Sequence, residues 1–195
     1  MAAEVLLYRL GCLIHWGPRE REIRTALRSL PPHLLEGARL VDVGSGLGQL
    51  SRVARDLGLE YFGLEPDPKL RGAASRDYAN ATFSHLGAQD LGAMVGAKDI
   101  VVLNGVAHHL DDGLFEKAIE AARLGRGLVV VDHRLDRDTH LVARRLQDWD
   151  LGKFVRPYER FKTLPGMRSQ YSRFFTIGPL GLPFWTHFCD VHVPS

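Results

Sequence analysis

The sequence predicts an α/β protein built on a doubly wound, mainly parallel sheet. Three patterns carry that expectation. Short apolar runs alternate with helical segments from Arg39 to Asp132, the order of a parallel sheet covered by helices on both faces. One apolar run breaks at a glycine turn, Val41-Asp-Val-Gly-Ser-Gly-Leu-Gly48, and the next ends in an acid within Gly63-Leu-Glu-Pro-Asp67. Beyond these, the strand-like stretches Tyr171 to Ile177 and Phe184 to Val193 flank Gly178-Pro-Leu-Gly-Leu-Pro183. A turn of that composition joins strands that pair antiparallel.

Each element has a local reason. Val5 to Ile14 is mostly apolar, with Arg9 inside it, and is too short to span a bilayer. It reads as a helix packed on the domain, or as an interfacial helix over a greasy substrate. No small-residue cleavage site follows cleanly, so no signal peptide is expected. Arg19 to Leu30 is helical with Ile23, Leu27 and Leu30 on one face, and Pro31-Pro32 ends it. Arg39 to Gly44 is the first strand. Leu47 to Leu57 is a helix closed by Gly58, and Glu60 to Glu65 is the second strand. Asp67 caps a helix running toward Tyr78. Ala81 to Leu86 is the third strand. Asp99 to Leu103 is the fourth, apolar on consecutive positions and so covered on both faces. Asp111 caps a helix to Leu124, and Leu128 to Asp132 is the fifth strand. Thr139 to Trp149 reads as helix, and Pro157 to Leu164 as weak helix or ordered loop.

The 195 residues are 45% hydrophobic and 25% charged, enough for one sizeable core. No repeat or linker interrupts them. One domain is expected over 1–195, with a helical cap at 1–38, a cofactor-binding core at 39–136 and a C-terminal part at 137–195. A net charge of +2 is well short of a phosphate-tracking surface, which argues against nucleic acid as the main partner. Cys12 and Cys189 are the only cysteines. Neither a disulfide framework nor a zinc spacing can be built from them, and a reducing cytoplasm is the simplest home. The nine histidines are scattered apart from His108-His109, so no metal is expected.

The glycine spacing decides the cofactor. A dinucleotide fingerprint needs a third glycine at the sixth place, but Gly44, Gly46 and Gly48 fall at places one, three and five, and Gln49 holds the sixth. This disfavours an NAD-binding oxidoreductase, and no phosphate-binding Gly-x-x-x-x-Gly-Lys-Ser/Thr loop exists. Glycines let backbone amides approach a ligand. The following helix N-terminus suits a carboxylate, and Glu65 can accept from two hydroxyls of a ribose. Glu65 could otherwise be a surface acid. Asp90 could be an N-cap, a ligand, or both.

Together with Gln89-Asp90, Asn104-Gly-Val-Ala-His-His-Leu-Asp111 and Leu128-Val-Val-Val-Asp132, these segments stand in an order that resembles the class I S-adenosylmethionine-dependent methyltransferases. The resemblance covers about Leu40 to Asp136. It implies a Rossmann-like sheet closed by an antiparallel C-terminal hairpin, with S-adenosylmethionine as cofactor and S-adenosylhomocysteine as product. By resemblance, Gly44, Gly46, Gly48 and Glu65 hold the cofactor, Asp42 orients its methionine part and Pro66 packs on its adenine. Asp90, beside Gln89, accepts from the adenine amine, and Asn104 offers its backbone carbonyl to the amino group.

Methyl transfer from a sulfonium needs alignment first and a base only where the acceptor loses a proton. His108 and His109 follow the fourth strand at the edge where open sheets bind ligands, and an imidazole titrates near neutrality. The His-His-Leu-Asp-Asp stretch resembles that of many small-molecule O- and C-methyltransferases. His108 is placed ahead of His109 as base; in the alternative, one histidine packs or caps while the other faces solvent. His133, past the fifth strand, is the next candidate. The stretches Phe154-Val-Arg156, Tyr158 and Trp185-Thr-His-Phe188 resemble the C-terminal segments of some short bacterial methyltransferases, where the acceptor pocket is expected. Arg156 reads as a surface arginine, or as a clamp for an anionic acceptor. Trp185, Phe188, Phe174 and Phe175 read as core, and Arg19 to Arg24 and Arg144-Arg145 as solvated helix faces. The expected function is methyl transfer to oxygen or carbon of a small organic molecule. The alternatives are a tRNA or protein acceptor, or a catalytically silent relative that binds cofactor or partner.

Overall fold

The computed structural model describes residues 3–134, 153–178 and 185–195. The expected helix Thr139 to Trp149, Arg144-Arg145 and most of the Gly178 to Pro183 turn lie outside them. In chain order the strands are β1 Arg39–Val43, β2 Glu60–Leu64, β3 Thr82–Ser84, β4 Asp99–Asn104, β5 Gly127–His133, β6 Met167–Ile177 and β7 Trp185–Pro194. They form a seven-stranded sheet in the order β3-β2-β1-β4-β5-β7-β6. The first five are parallel, and β7 runs antiparallel between β5 and β6. The chain winds outward from β1 to β3 and then returns to β4 beside β1. That reversal leaves a crevice at the carboxyl ends of β1 and β4, where open α/β sheets bind ligands.

The helices are α1 Ala3–Arg28, α2 Pro32–Leu35, α3 Leu50–Asp56, α4 Pro68–Asp77, α5 Leu91–Met94 and α6 Asp112–Leu124. The two N-terminal stretches read separately in the sequence are one helix, α1, which passes through Pro18. Asp67 and Asp111 cap α4 and α6 as expected, accepting from the backbone N–H groups of Lys69 and Leu70 and of Leu114. No helix among the described residues is long and apolar enough to cross a membrane.

β4 explains why its apolar positions are consecutive. Ile100 and Val102 join Ile23, Leu27, Leu50 and Val53 of α1 and α3 on one face. Val101 and Leu103 join Leu91, Phe115 and Ile119 of α5 and α6 on the other. Each such burial contributes about 1.5–3 kcal/mol, so the strand beside the crevice is held from both sides.

The tail differs from its reading in extent. Pro157 to Leu164 contains a single helical turn, Glu159–Lys162. β6 begins at Met167, earlier than expected, and its register with β7 shifts between Ser169 and Tyr171. Such a bulge blunts an edge strand that would otherwise offer its N–H row to other chains.

Candidate cofactor and acceptor site

β1 ends in a turn that only glycine adopts without strain. Gly44, Gly46 and Gly48 have φ of +66°, +54° and +74°, in the left-handed region. At two of them the missing Cβ also makes room for protein. A Cβ on Gly44 would lie 2.8 Å from Cγ2 of Val106, and one on Gly48 would run into the ring of Phe83 on β3. Glu65, just past β2, then ties the turn down. Its Oε2 accepts from the N–H of Gly46 at 2.8 Å, and its Oε1 from the N–H of Asp67 at 2.9 Å. Glu65 is buried and so is not a surface acid. Burial pushes its carboxyl upward against these N–H donors.

Asp42 precedes the turn and is 3% exposed. Its Oδ2 accepts from the hydroxyl of Tyr61 on β2 at 2.7 Å. Burial pushes the Asp42 carboxyl up to about 7, the Tyr61 hydrogen bond opposes this, and the Glu65 charge adds to it. Asn104 ends β4. Its Oδ1 is buried with no hydrogen-bond partner among the described residues. A buried acceptor left unsatisfied costs about 1–3 kcal/mol, so this position fits a donor from a bound molecule. The cradle, the orphaned Asn104 oxygen and the buried carboxylates suit a ligand bearing hydroxyl and amino groups.

Beyond β2 and β3 stand the other expected cofactor residues. Pro66 and Gln89 are exposed. The Gln89 amide folds back over Gly87, so that a Cβ there would lie 2.6 Å from Oε1. Asp90 precedes α5 but makes no side-chain cap bond to it; its Oδ2 accepts from the N–H of Gly87 at 2.9 Å, from the third position of the turn Ala88–Asp90. A cavity of about 520 Å³, lined by Arg39, Arg52, Tyr61, Tyr78 and Asn80 among others, opens toward the amino ends of β1 to β3, the edge opposite the glycine turn.

The histidines gather past β4 and β5. His108 is buried in the turn Ala107–His109, whereas His109 is exposed. His108 Nδ1 lies 2.6 Å from Asp132 Oδ1, and its backbone N–H donates to Oδ2 at 3.0 Å. The N–H of His133 donates to Oδ1 at 2.7 Å. Burial alone would raise the Asp132 carboxyl, but the His108 hydrogen bond and charge outweigh it and hold Asp132 below its ordinary value. An ionised carboxylate only accepts, so the His108 proton sits on Nδ1 and Nε2 is the basic nitrogen. His108, Asp132 and His133 offer ligand atoms within 4.8 Å of one another. Both Asp132 oxygens accept from N–H donors, those of His108 and the backbone N–H of His133.

The row of rings continues. His109 to His108, His108 to His133 and His133 to His187 are 4.2, 5.1 and 4.5 Å apart between centroids. At its far end Arg19 donates to His187 Nε2 at 3.0 Å. A guanidinium has no acceptor, so His187 carries its proton on Nδ1. Arg19 also lies over Gly105, where a Cβ would collide with its guanidinium. Arg19 is therefore not on a solvated face: it fastens α1 across the carboxyl edge of the sheet.

Arg156 corrects its reading as a surface residue. It is 6% exposed. Its Nη1 donates to Ala107 O at 2.8 Å, and its Nη2 to Leu110 O at 2.7 Å and to Asp112 Oδ1 at 2.8 Å. The guanidinium lies over Phe115, 4.5 Å from the centroid. The N–H of Phe154 donates to His108 O at 3.0 Å. The tail thus braces the turn that carries His108, and the donors considered for an anion clamp are spent on backbone carbonyls. Phe188 is core, as expected, but Phe174 is 41% exposed, with the Arg134 guanidinium 3.9 Å from its centroid.

The residues that sequence reasoning missed have long-range partners: Tyr61, Asp132, Arg19 and His187. Asp132 alone carried a signal, since it ends a strand as Glu65 ends its own. Nothing near Tyr61 in the sequence distinguishes it from a packing aromatic.

A methyltransferase domain family model matches residues 15–165. Uncharacterized methyltransferases of Mycolicibacterium gilvum and a Mycobacterium species are 34% and 29% identical over 98 and 99 residues, covering 48% and 50% of this chain. The match spans only 38% and 39% of their length. Among solved structures, an S-adenosylmethionine-dependent methyltransferase of Leishmania major is 18% identical, with a TM-score of 0.70 over 94% of this chain and 75% of its own. Magnesium protoporphyrin IX methyltransferase of Synechocystis, with bound S-adenosylhomocysteine, is 18% identical, with a TM-score of 0.67 over 93% and 85%. Mitomycin 7-O-methyltransferase is 19% identical, with a TM-score of 0.65 over 91% and 53%. These structures share the fold with this chain. The family match over most of the sequence, on a sheet whose glycine turn and Glu65 sit at its switch point, establishes that the chain belongs to the class I S-adenosylmethionine-dependent methyltransferase domain family.

Proposed function

We propose that this chain transfers the methyl group of S-adenosylmethionine to oxygen or carbon of a small organic molecule, with His108 as the general base. The His108–Asp132 hydrogen bond of 2.6 Å carries the reading. It sets the tautomer, orients the ring and stabilises the imidazolium that forms when Nε2 takes a proton, as carboxylates do for catalytic histidines. His109 is exposed, and the His133 ring packs against His187.

When bound, the cofactor supplies an electrophilic methyl carried on a sulfonium. The chain's part is to hold and align. Gly44, Gly46, Gly48 and Glu65 would form the cradle, Asp42 and Asn104 would meet the methionine end, and Pro66, Gln89 and Asp90 would border the adenine. Positions 137–195 would supply the acceptor wall, as the bracing of the His108 turn by Phe154 and Arg156 suggests. A small acceptor is supported by the magnesium protoporphyrin and mitomycin methyltransferases among the structural relatives and by the mild net charge of +2.

The test is incubation with methyl-tritiated S-adenosylmethionine and a panel of phenols, enolisable β-dicarbonyls and carboxylic acids. The expected result is label in a small product, with turnover reduced about 10²- to 10⁴-fold in His108→Ala at unchanged cofactor affinity. Label found only in tRNA or protein, or none despite cofactor binding, would overturn the proposal. Undiminished turnover in His108→Ala would remove that residue from the mechanism.

A further inference from the structure

Asp42 is an unusual group to bury at the mouth of a cofactor site. It sits in the middle of the sheet, 3% exposed, and among the described residues its hydrogen bond comes from the Tyr61 hydroxyl and not from a cation. Its register neighbours are Gly63 on β2 and Val102 on β4. α1 and α3 cover this face with Ile23, Leu27, Leu50 and Val53. Among the described residues of α1, Arg19 donates to His187, and Glu22 accepts from Tyr171 and pairs with Arg173. The groups that act on Asp42 are Tyr61 and Glu65.

Tyr61 is built for that contact. Its ring packs edge-on against Phe83, with centroids 5.6 Å apart, and Phe83 itself fills the space left by Gly48 and Gly63. The phenol is therefore held between the glycine turn and β3 while its hydroxyl reaches Asp42 Oδ2 at 2.7 Å.

We infer that Tyr61 is a positioning residue for the cofactor, holding the Asp42 carboxyl so that this pair takes up the cationic amino-acid end of S-adenosylmethionine and releases a proton as it does so. The inference rests on Asp42 lying in the cofactor site. The balance is simple: a neutral carboxyl becomes a carboxylate beside the incoming positive charge, and its proton goes to buffer. In the free protein, burial lifts Asp42 to about 7, so near neutrality a substantial share of the molecules carries that proton. A cation bound beside it favours the ionised form, and linkage then ties affinity to pH.

The experiment is calorimetric titration of the full chain with S-adenosylmethionine from pH 6 to pH 8, in buffers of differing ionisation enthalpy. Wild type should release close to one proton at pH 6, about half at pH 7 and almost none at pH 8, with affinity rising roughly tenfold across the range. Tyr61→Phe removes a hydrogen bond that favours the charged form, so its profile should move to higher pH, with affinity below wild type and the loss largest at pH 6 and smallest at pH 8. Asp42→Asn should release no proton. Flat affinity without proton release in wild type overturns the inference, as does a Tyr61→Phe profile that superimposes on it. Proton release surviving in Asp42→Asn assigns the proton to another group, such as Glu65, and also overturns it. No binding at any pH is a different failure, that of the cofactor site itself. If Tyr61→Phe does not fold, Tyr61→Met, which keeps bulk without the hydroxyl, takes its place with the same expected shift, and a profile superimposing on wild type overturns the inference.

Discussion

Asp42 and Asp132 occupy matching positions near the carboxyl ends of β1 and β5, each 3% exposed, and they are pushed in opposite directions. Asp42, held by one neutral hydroxyl, is raised to about 7. Asp132, held by an imidazole and N–H groups, is lowered. Burial acts alike on both, so the partners make the difference. The two halves of the site follow the same division. Among the described residues, the cofactor half bonds Asp42 and Glu65 to a hydroxyl and to backbone N–H groups, not to a cation. The acceptor half keeps its carboxylate committed to a histidine.

The largest effect that would break this contrast comes from Asp132→Asn. An amide in place of the carboxylate no longer requires the His108 proton on Nδ1, so Nε2 loses its role as the basic nitrogen. Turnover should fall about 10²- to 10⁴-fold while S-adenosylmethionine affinity stays near wild type. A loss of cofactor affinity instead would mean that the halves are not separable.

On the cofactor side the comparable lesion is in the backbone. Gly48→Val places a branched side chain at φ +74° and into Phe83. Left-handed strain of about 1–2 kcal/mol and overpacking of about 1–3 kcal/mol should act together. At about 2–4 °C per kcal/mol, the melting temperature should fall by at least roughly 4 °C, and cofactor binding should go with it. An unchanged melting temperature would show that the turn can yield.

Arg156→Ala tests the brace of the acceptor half. It leaves the carbonyl of Leu110 without the Arg156 donor and Ala107 O with only the longer bond from the Leu110 N–H, 3.3 Å, and an unsatisfied buried group costs about 1–3 kcal/mol. Arg156→Lys should not restore stability, because an ammonium cannot span these carbonyls and Asp112 as the planar fork does. Recovery in Arg156→Lys would mean that charge alone matters here.

The same contrast explains what could be read in advance. The cofactor half depends on local backbone demands. Glycines mark positive φ, Asp67 and Asp111 mark helix starts, and Glu65 marks a strand end, so each function is written within a few residues of its position. The acceptor half depends on meetings between distant segments. Arg156 reads as a surface cation until the carbonyls of Ala107 and Leu110, nearly fifty residues away in sequence, are seen around it. Arg19 reads as part of a solvated helix until β7 brings His187 to it. Tyr61 belongs to this second kind although it lies in the first half, because its hydroxyl acts on the neighbouring strand.

The smallest effect, and the finest test, is the pH dependence of stability in the free protein. Asp42 has a folded value near 7, above the ordinary carboxyl value of about 3.9. The folded state therefore binds more protons between those values. The stability this group contributes is fully present below about pH 4 and is lost as pH rises through 7. Asp132 is lowered, so its contribution is present above about pH 4 and is lost as pH falls through its folded value. Asp42→Asn should therefore be more stable than wild type at pH 8, by about 1–2 kcal/mol or roughly 2–8 °C in melting temperature, with the advantage gone by pH 5. Asp132→Asn should be less stable than wild type at pH 8, and its deficit should shrink only in acid. If both variants shift the same way with pH, burial and not the bonded partner sets the charge of each carboxyl, and the division between the two halves of the site fails.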